Sequence, residues 1–120
     1  MNRTTGAQAI LHLLAEAGVT RLFGNPGTTE LPLVDAVAAE PRIEYVLGLQ
    51  EVPVMAMADG FAMASGGLGV VNLHASCGLG NAMGMLYNAL AKELRSWSPQ
   101  VRATGESCSK SRFWRATWSP

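Results

Sequence analysis

Charge imbalance is absent from this sequence. Nine Lys and Arg stand against nine Asp and Glu, a formal net charge of zero. A nucleic-acid partner needs a basic surface that displaces counterions from phosphates, so the balance argues against that class. Cysteine is scarce as well. Cys77 and Cys108 form neither a CxxC nor any metal-ligand spacing, and a reducing, cytoplasmic setting is the simpler reading of them. Long apolar runs are missing. No stretch approaches the roughly 20 residues of a membrane span, which argues against a membrane partner. Near the start, Gln8, His12 and Glu16 interrupt the apolar segment, so it does not read as a signal-peptide core. What remains is 48% hydrophobic residues in a chain of 120, enough for one small domain. A domain of this size buries only about two-thirds of its unfolded surface, which leaves a narrow margin of stability.

Two periodicities alternate between residues 4 and 90. Thr4 or Thr5 can cap a helix in which Ala9, Ile10, Leu13, Leu14 and Ala17 fall at helical spacing, and Gly18 stops it. Val19 to Phe23 reads as a short strand, ended by the turn-formers Gly24-Asn25-Pro26-Gly27. A second helix carries Leu31, Leu33, Val34 and Val37, and Pro32 sets its start at about Leu31. Ile43 to Leu49 is the second strand, Glu51 to Ser65 the third helix, and Leu68 to Leu73 the third strand. Ala75 to Gly80 reads as a small-residue loop and Asn81 to Ala91 as the fourth helix. This order predicts an α/β fold, a parallel sheet with helices on both faces. Ligands of such sheets sit off the carboxyl ends of the strands. Gly24 to Thr28, Gln50-Glu51 and His74 to Gly80 all lie there.

From about Lys92 the pattern stops. Neither periodicity persists, and all three tryptophans, Trp97, Trp114 and Trp118, fall in this last part. The genetic code offers an explanation beyond a disordered tail. Starting from the third base of the Glu93 codon, permitted codons for Glu93 to Ser119 also encode TPLVVTAGQGDRRELLQEPLLASDLV without a stop. That peptide holds a buried-type strand, PLVVTAG, where the α/β pattern needs its next one. Residues 1–91 are therefore expected to be part of a domain, and residues 92–120 an out-of-frame, irregular tail.

Residue type alone leaves bland readings open. Glu51 can be a solvated carboxylate at a helix N-terminus, Thr28 a helix cap and His74 a structural hydrogen-bonder. Glu51 nevertheless sits between an apolar strand and a nearly uncharged helix, which predicts desolvation and a raised pKa. Gly78, Gly80 and Asn81 form a loop entering a helix, where small residues permit close approach of a ligand. ASCGLGN lacks the lysine of a P-loop and is no convincing dinucleotide fingerprint. His12 lies inside the first helix and reads as structural. Met55, Met57, Met63, Met83 and Met85 read as core and interface filling.

FGNPGTTELP, LGLQE, ADGFAMASG and NLHASCGLGNAMGMLYNA occur in that order, within a resemblance that covers roughly residues 5 to 90. Together they resemble the N-terminal, pyrimidine-binding domain of the thiamine-diphosphate-dependent enzymes, with most similarity to the benzoylformate decarboxylase group. The shifted-frame peptide continues the same pattern. The resemblance implies an incomplete thiamine-diphosphate-binding fold and a 2-keto-acid substrate. It implies that Glu51 hydrogen-bonds N1′ of the cofactor's aminopyrimidine and that His74 moves protons on intermediates. Thr28 takes the place of a serine that binds the substrate carboxylate. Asn25, Pro26 and Gly27 form the turn that aims Thr28, and with Gly78, Gly80 and Asn81 they are expected beside the cofactor. No metal ligand is expected in this chain, because Mg²⁺ belongs with the diphosphate in a C-terminal domain not seen here. The parent is expected to be a homodimer or homotetramer with its site between subunits, and the fragment alone to be inactive. An acetolactate-synthase-like carboligase and a non-catalytic remnant are the alternatives.

Overall fold

A computed structural model describes residues 4–96, with side chains described through residue 91; the expected tail beyond Ser96 lies outside the described residues. Helix α1 (Gly6–Glu16) begins where Thr5 accepts from the Gln8 N–H and Gln8 returns a hydrogen bond to the Thr5 N–H. This reciprocal cap satisfies two of the donors that a helix start leaves unpaired. Strand β1 (Arg21–Asn25) follows, then a 3-10 turn (Thr28–Glu30) and α2 (Leu31–Val37). Strand β2 (Glu44–Leu47), α3 (Glu51–Ser65), β3 (Val70–Leu73) and α4 (Ala75–Ser96) complete the order. Gly66, at φ 67°, closes α3 in the left-handed conformation that glycine adopts without a Cβ clash.

All strand pairs are parallel, in the order β2-β1-β3. Register sets the layers. Leu22 lies level with Tyr45 and Val70, and these face Leu11 of α1, Ala36 of α2 and Ile43. Phe23, one residue on, lies level with Val46 and Val71 and packs on Val54 and Ala58 of α3. Met55 of α3 then meets Ala82 and Ala89 of α4, against Val71 and Leu73. The expected parallel sheet covered on both faces is present.

Several expected boundaries moved: β1 starts at Arg21, β2 covers only Glu44–Leu47, β3 starts at Val70, and α4 runs on to Ser96, so residues 92–96 of the expected irregular tail are helical. β1 runs on through Gly24 and Asn25, which sequence assigns to a turn. As the central strand it pairs on both sides, and Gly24 is needed because the Tyr45 hydroxyl occupies the space a Cβ would fill. Helix α4 starts at Ala75, not Asn81, so the expected small-residue loop is helical. Packing of α4 on α3 and β3 overrides the weak helix propensity of Ser76, Cys77 and Gly78.

Leu11 is fully buried whereas Leu13 is 68% exposed on the same helix. Leu11→Ala is expected to destabilise the fold by about 2–5 kcal/mol, and Leu13→Ala by less than about 0.5 kcal/mol. Urea unfolding followed by circular dichroism checks both values.

Candidate functional site

The carboxyl ends of three strands bring the site together. Asn25 ends β1, Glu51 opens α3 just after β2, and His74 follows β3. A β2-β1-β3 order reverses direction at the central strand, and such a reversal opens a crevice at the strand ends.

Glu51 is the buried acid of this edge, 6% exposed. Its Oε1 accepts from Asn25 Nδ2 at 3.1 Å, and its Oε2 from Asn81 Nδ2 at 3.1 Å. Gly78 is buried beside it, and a Cβ there would stand 3.2 Å from Oε1. The burial expected from sequence is present, but the expected rise in pKa is not. The Asn81 amide, the residue's own backbone N–H and the Asn25 amide stabilise the charged form, outweigh desolvation and lower the pKa. Hydrogen bonds to an ionised carboxylate win over burial when its lone pairs are occupied by donors.

His74 belongs to a second cluster on the same edge. Its Nδ1 lies 2.7 Å from Oε2 of Glu30, which also accepts from the Gly27 N–H at 2.8 Å. Thr29 donates to the other oxygen at 2.7 Å. These contacts, Thr29 first and His74 next, hold the Glu30 carboxyl down at about 2. Gly27 has no alternative residue, because the His74 ring fills the space of a Cβ. At the start of α4, Ala75 takes φ 47°, a left-handed conformation that costs a non-glycine residue about 1–2 kcal/mol. That bend turns the chain sharply between His74 and the helix. The two clusters are close enough for His74 to act electrostatically on Glu51.

Sequence reasoning brought out Glu51, His74, Asn25, Gly27, Gly78 and Asn81, and these gather here. Pro26 is half-buried in the connecting turn, and Thr28 is exposed on the rim. Gly80 is exposed, with open space where a Cβ would go. Glu30 was missed. A signal existed: a carboxylate three residues after Gly27 at a helix start can reach back to that N–H, half of a capping box. Tyr45 and Asn72 were missed too; Asn72 Nδ2 donates to the Tyr45 hydroxyl at 3.1 Å across Gly24. His12 lies elsewhere, 2.9 Å from Arg42 in a surface cluster with Glu16 and Glu40. A cleft of about 660 Å³ beside His12 contains none of the site residues. Among the described residues no group of three His, Cys, Asp or Glu could hold a metal ion, and no helix is long and apolar enough to cross a membrane.

Glu30 supplies a pH prediction. Its carboxyl is lowered from 4.5 to about 2 by folding, so its contribution is full above pH 4.5 and is lost as pH falls towards 2. Glu30→Gln is expected to flatten the fall of the urea midpoint across that window. Glu40 and Glu16, whose pKa values are also lowered, keep the curve from becoming level. An unchanged slope in the variant contradicts the assignment.

Residues 4–95 match the family described as thiamine pyrophosphate enzyme, N-terminal TPP binding domain. Benzoylformate decarboxylase of Pseudomonas aeruginosa is 47% identical over 98 residues, 82% of this chain and 17% of that protein. A putative acetolactate synthase large subunit of Mycobacterium tuberculosis is 43% identical over 101 residues, 84% of this chain and 19% of that protein. Among solved structures, the thiamine diphosphate-dependent 4-hydroxybenzoylformate decarboxylase of Rhodococcus jostii RHA1 superposes with a TM-score of 0.65. It is 43% identical, over 80% of this chain and 17% of that one. This chain thus spans less than a fifth of the length of these relatives. With that match, on a chain that places a buried carboxylate and a histidine at the carboxyl edge of a parallel sheet, the chain belongs to the thiamine pyrophosphate enzymes, as their N-terminal TPP-binding domain.

Proposed function

We propose that the chain is the aminopyrimidine-binding piece of a non-oxidative 2-keto-acid decarboxylase of the benzoylformate decarboxylase kind. The observation that carries this reading is Glu51, an ionised but nearly buried carboxylate held at the sheet's carboxyl edge. Each of its oxygens takes one amide hydrogen bond, and a carboxylate has about four acceptor positions. An acceptor position therefore remains for a ring-nitrogen proton, and Gly78, without a side chain, lets the start of α4 pack closely against the carboxylate. These residues fit the pyrimidine half of thiamine diphosphate.

Bound there, the cofactor supplies the electron sink for loss of CO₂ from the keto acid. The protein's part is proton control and orientation. Glu51 would accept a hydrogen bond from the protonated pyrimidine N1′, and Asn25 and Asn81 fix the plane of its carboxylate. His74 gives or takes a proton at the reacting carbon and oxygen, with Glu30 anchoring its Nδ1. Thr28 offers a hydroxyl to the substrate carboxylate from the rim. Overall, the bond between the carboxylate and the keto carbon breaks, CO₂ leaves, and a proton takes its place to give an aldehyde. Mg²⁺ is assigned to the diphosphate-binding domain of the parent. The parent is assigned as a cytoplasmic homodimer or homotetramer whose sites lie between subunits. Residues 92–120 are assigned to an out-of-frame tail.

An acetolactate-synthase-like carboligase is the second reading, favoured by the 43% identity to a putative protein of that name. The higher identity to benzoylformate decarboxylase and the His74–Glu30 pair favour the first. Product analysis decides between them: the full-length, frame-repaired enzyme is expected to release benzaldehyde from benzoylformate, and acetolactate from pyruvate as main product overturns the decarboxylase.

In that enzyme Glu51→Gln and His74→Ala are each expected to lower kcat by about 10²–10⁴-fold, as steady-state kinetics would show. The 120-residue chain supplies only one half of a site. Calorimetric titration with thiamine diphosphate and Mg²⁺ is expected to show no tight binding, and micromolar affinity contradicts the half-site reading.

A further inference from the structure

We propose that Tyr45 is a positioning residue: through Asn72 it fixes the end of β3, and with it the placement of the His74 ring on Glu30. The proposal rests on the proposed function only for the use to which His74 is put.

Register puts the pair together. Tyr45 lies level with Leu22, and Asn72 level with Gly24, the next residue on that face of β1. Strands β2 and β3 flank β1 and do not pair with each other, so about 10 Å, two strand spacings, separates them. The Tyr45 side chain leans across Gly24 towards the carboxyl ends of the strands, and Asn72 Nδ2 donates to its hydroxyl at 3.1 Å. What each strand delivers makes that link matter. β2 leads on to Glu51, and β3 to His74, two residues beyond Asn72. One hydrogen bond across the central strand thus ties the segment that carries the buried carboxylate to the segment that carries the histidine.

The hydroxyl is not needed for packing. The Tyr45 ring joins the apolar layer of Leu11, Leu22, Ala36 and Ile43, where phenylalanine would fill the same space. The hydroxyl instead imposes two constraints. Residue 24 must lack a side chain, in a central strand that glycine weakens. A phenol and an amide must also stay paired beside an apolar layer, where an unpaired polar group is costly. Burial, and after it the charge of Glu30, raises the Tyr45 pKa against the pull of Asn72. The phenol therefore keeps its proton and lies within electrostatic reach of the carboxylate that holds His74. The ionisable groups facing His74 are Glu30, from the turn after β1, and Glu51, from the start of α3. Glu30 is ionised and only accepts hydrogen bonds. Neutral His74 therefore carries its proton on Nδ1 when the ring is seated on Glu30, and that tautomer reports the placement.

The test reads the tautomer first and activity second. In the 120-residue chain, ring ¹⁵N shifts of His74 at about pH 9, above the ordinary imidazole range, are expected to show the Nδ1-protonated form in excess. Tyr45→Phe and Asn72→Ala are each expected to lower the ratio of that form to the other by more than about threefold, and the double variant by no more than either alone. Ile43→Val trims the layer against the Tyr45 ring without touching the hydroxyl, and should leave the ratio unchanged. In the frame-repaired enzyme, Tyr45→Phe and Asn72→Ala are each expected to lower kcat by about ten- to hundredfold with KM shifted less than about twofold, again without adding in the double variant. These kinetics carry the test by themselves if the short chain or one variant does not stay folded. An unmoved ratio, additive effects, an equal response to Ile43→Val, or an unchanged kcat in an active enzyme overturns the proposal. A repaired enzyme that releases no aldehyde from any 2-keto acid sinks the proposed function instead, and the tautomer ratio then decides this inference.

Discussion

The site depends on one carboxylate that is removed from water yet kept charged. Glu51 is nearly buried, but two side-chain amides and a helix start surround it. Burial alone would raise the pKa of such a group. Here the amides, with the backbone N–H at the first turn of α3, reverse the sign. Each donor comes from a different element: Asn25 from the end of β1, Asn81 from α4, and the helix start from α3. The charge state of one side chain therefore requires the whole sheet edge to be assembled.

The same edge carries a second carboxylate used in another way. Glu30 joins Gly27, Thr29 and His74, so the turn after β1 is tied to the residue after β3. Two glycines make this closeness available. Gly27 leaves room for the His74 ring, and Gly78 leaves room for Glu51. Residues far apart in sequence thus share one small volume without long loops.

Much of this architecture was legible in the sequence. Helix α3 was read from Glu51 to Ser65 because an apolar strand ends just before it and Gly66 closes it. The sheet with helices on both faces followed from alternating periods, and of the two candidate caps, Thr4 and Thr5, it is Thr5 that starts α1. Other features depend on contacts that no local pattern encodes. Gly24-Asn25 has turn chemistry, yet pairing on both sides makes it strand. Ala75 to Gly80 has weak helix propensity, yet packing winds it into α4. The sign of the Glu51 shift needed Asn81, thirty residues away, and Glu30 needed His74, forty-four residues away.

Carboxyl ¹³C NMR of Glu51, titrated with pH in the folded chain, is the most direct measurement. Glu51 should titrate below the usual 4.5 of a glutamate and move upward when Asn81→Ala removes its principal donor. A Glu51 resonance that titrates at or above 4.5, indifferent to Asn81, would contradict a carboxylate held ionised for a pyrimidine ring.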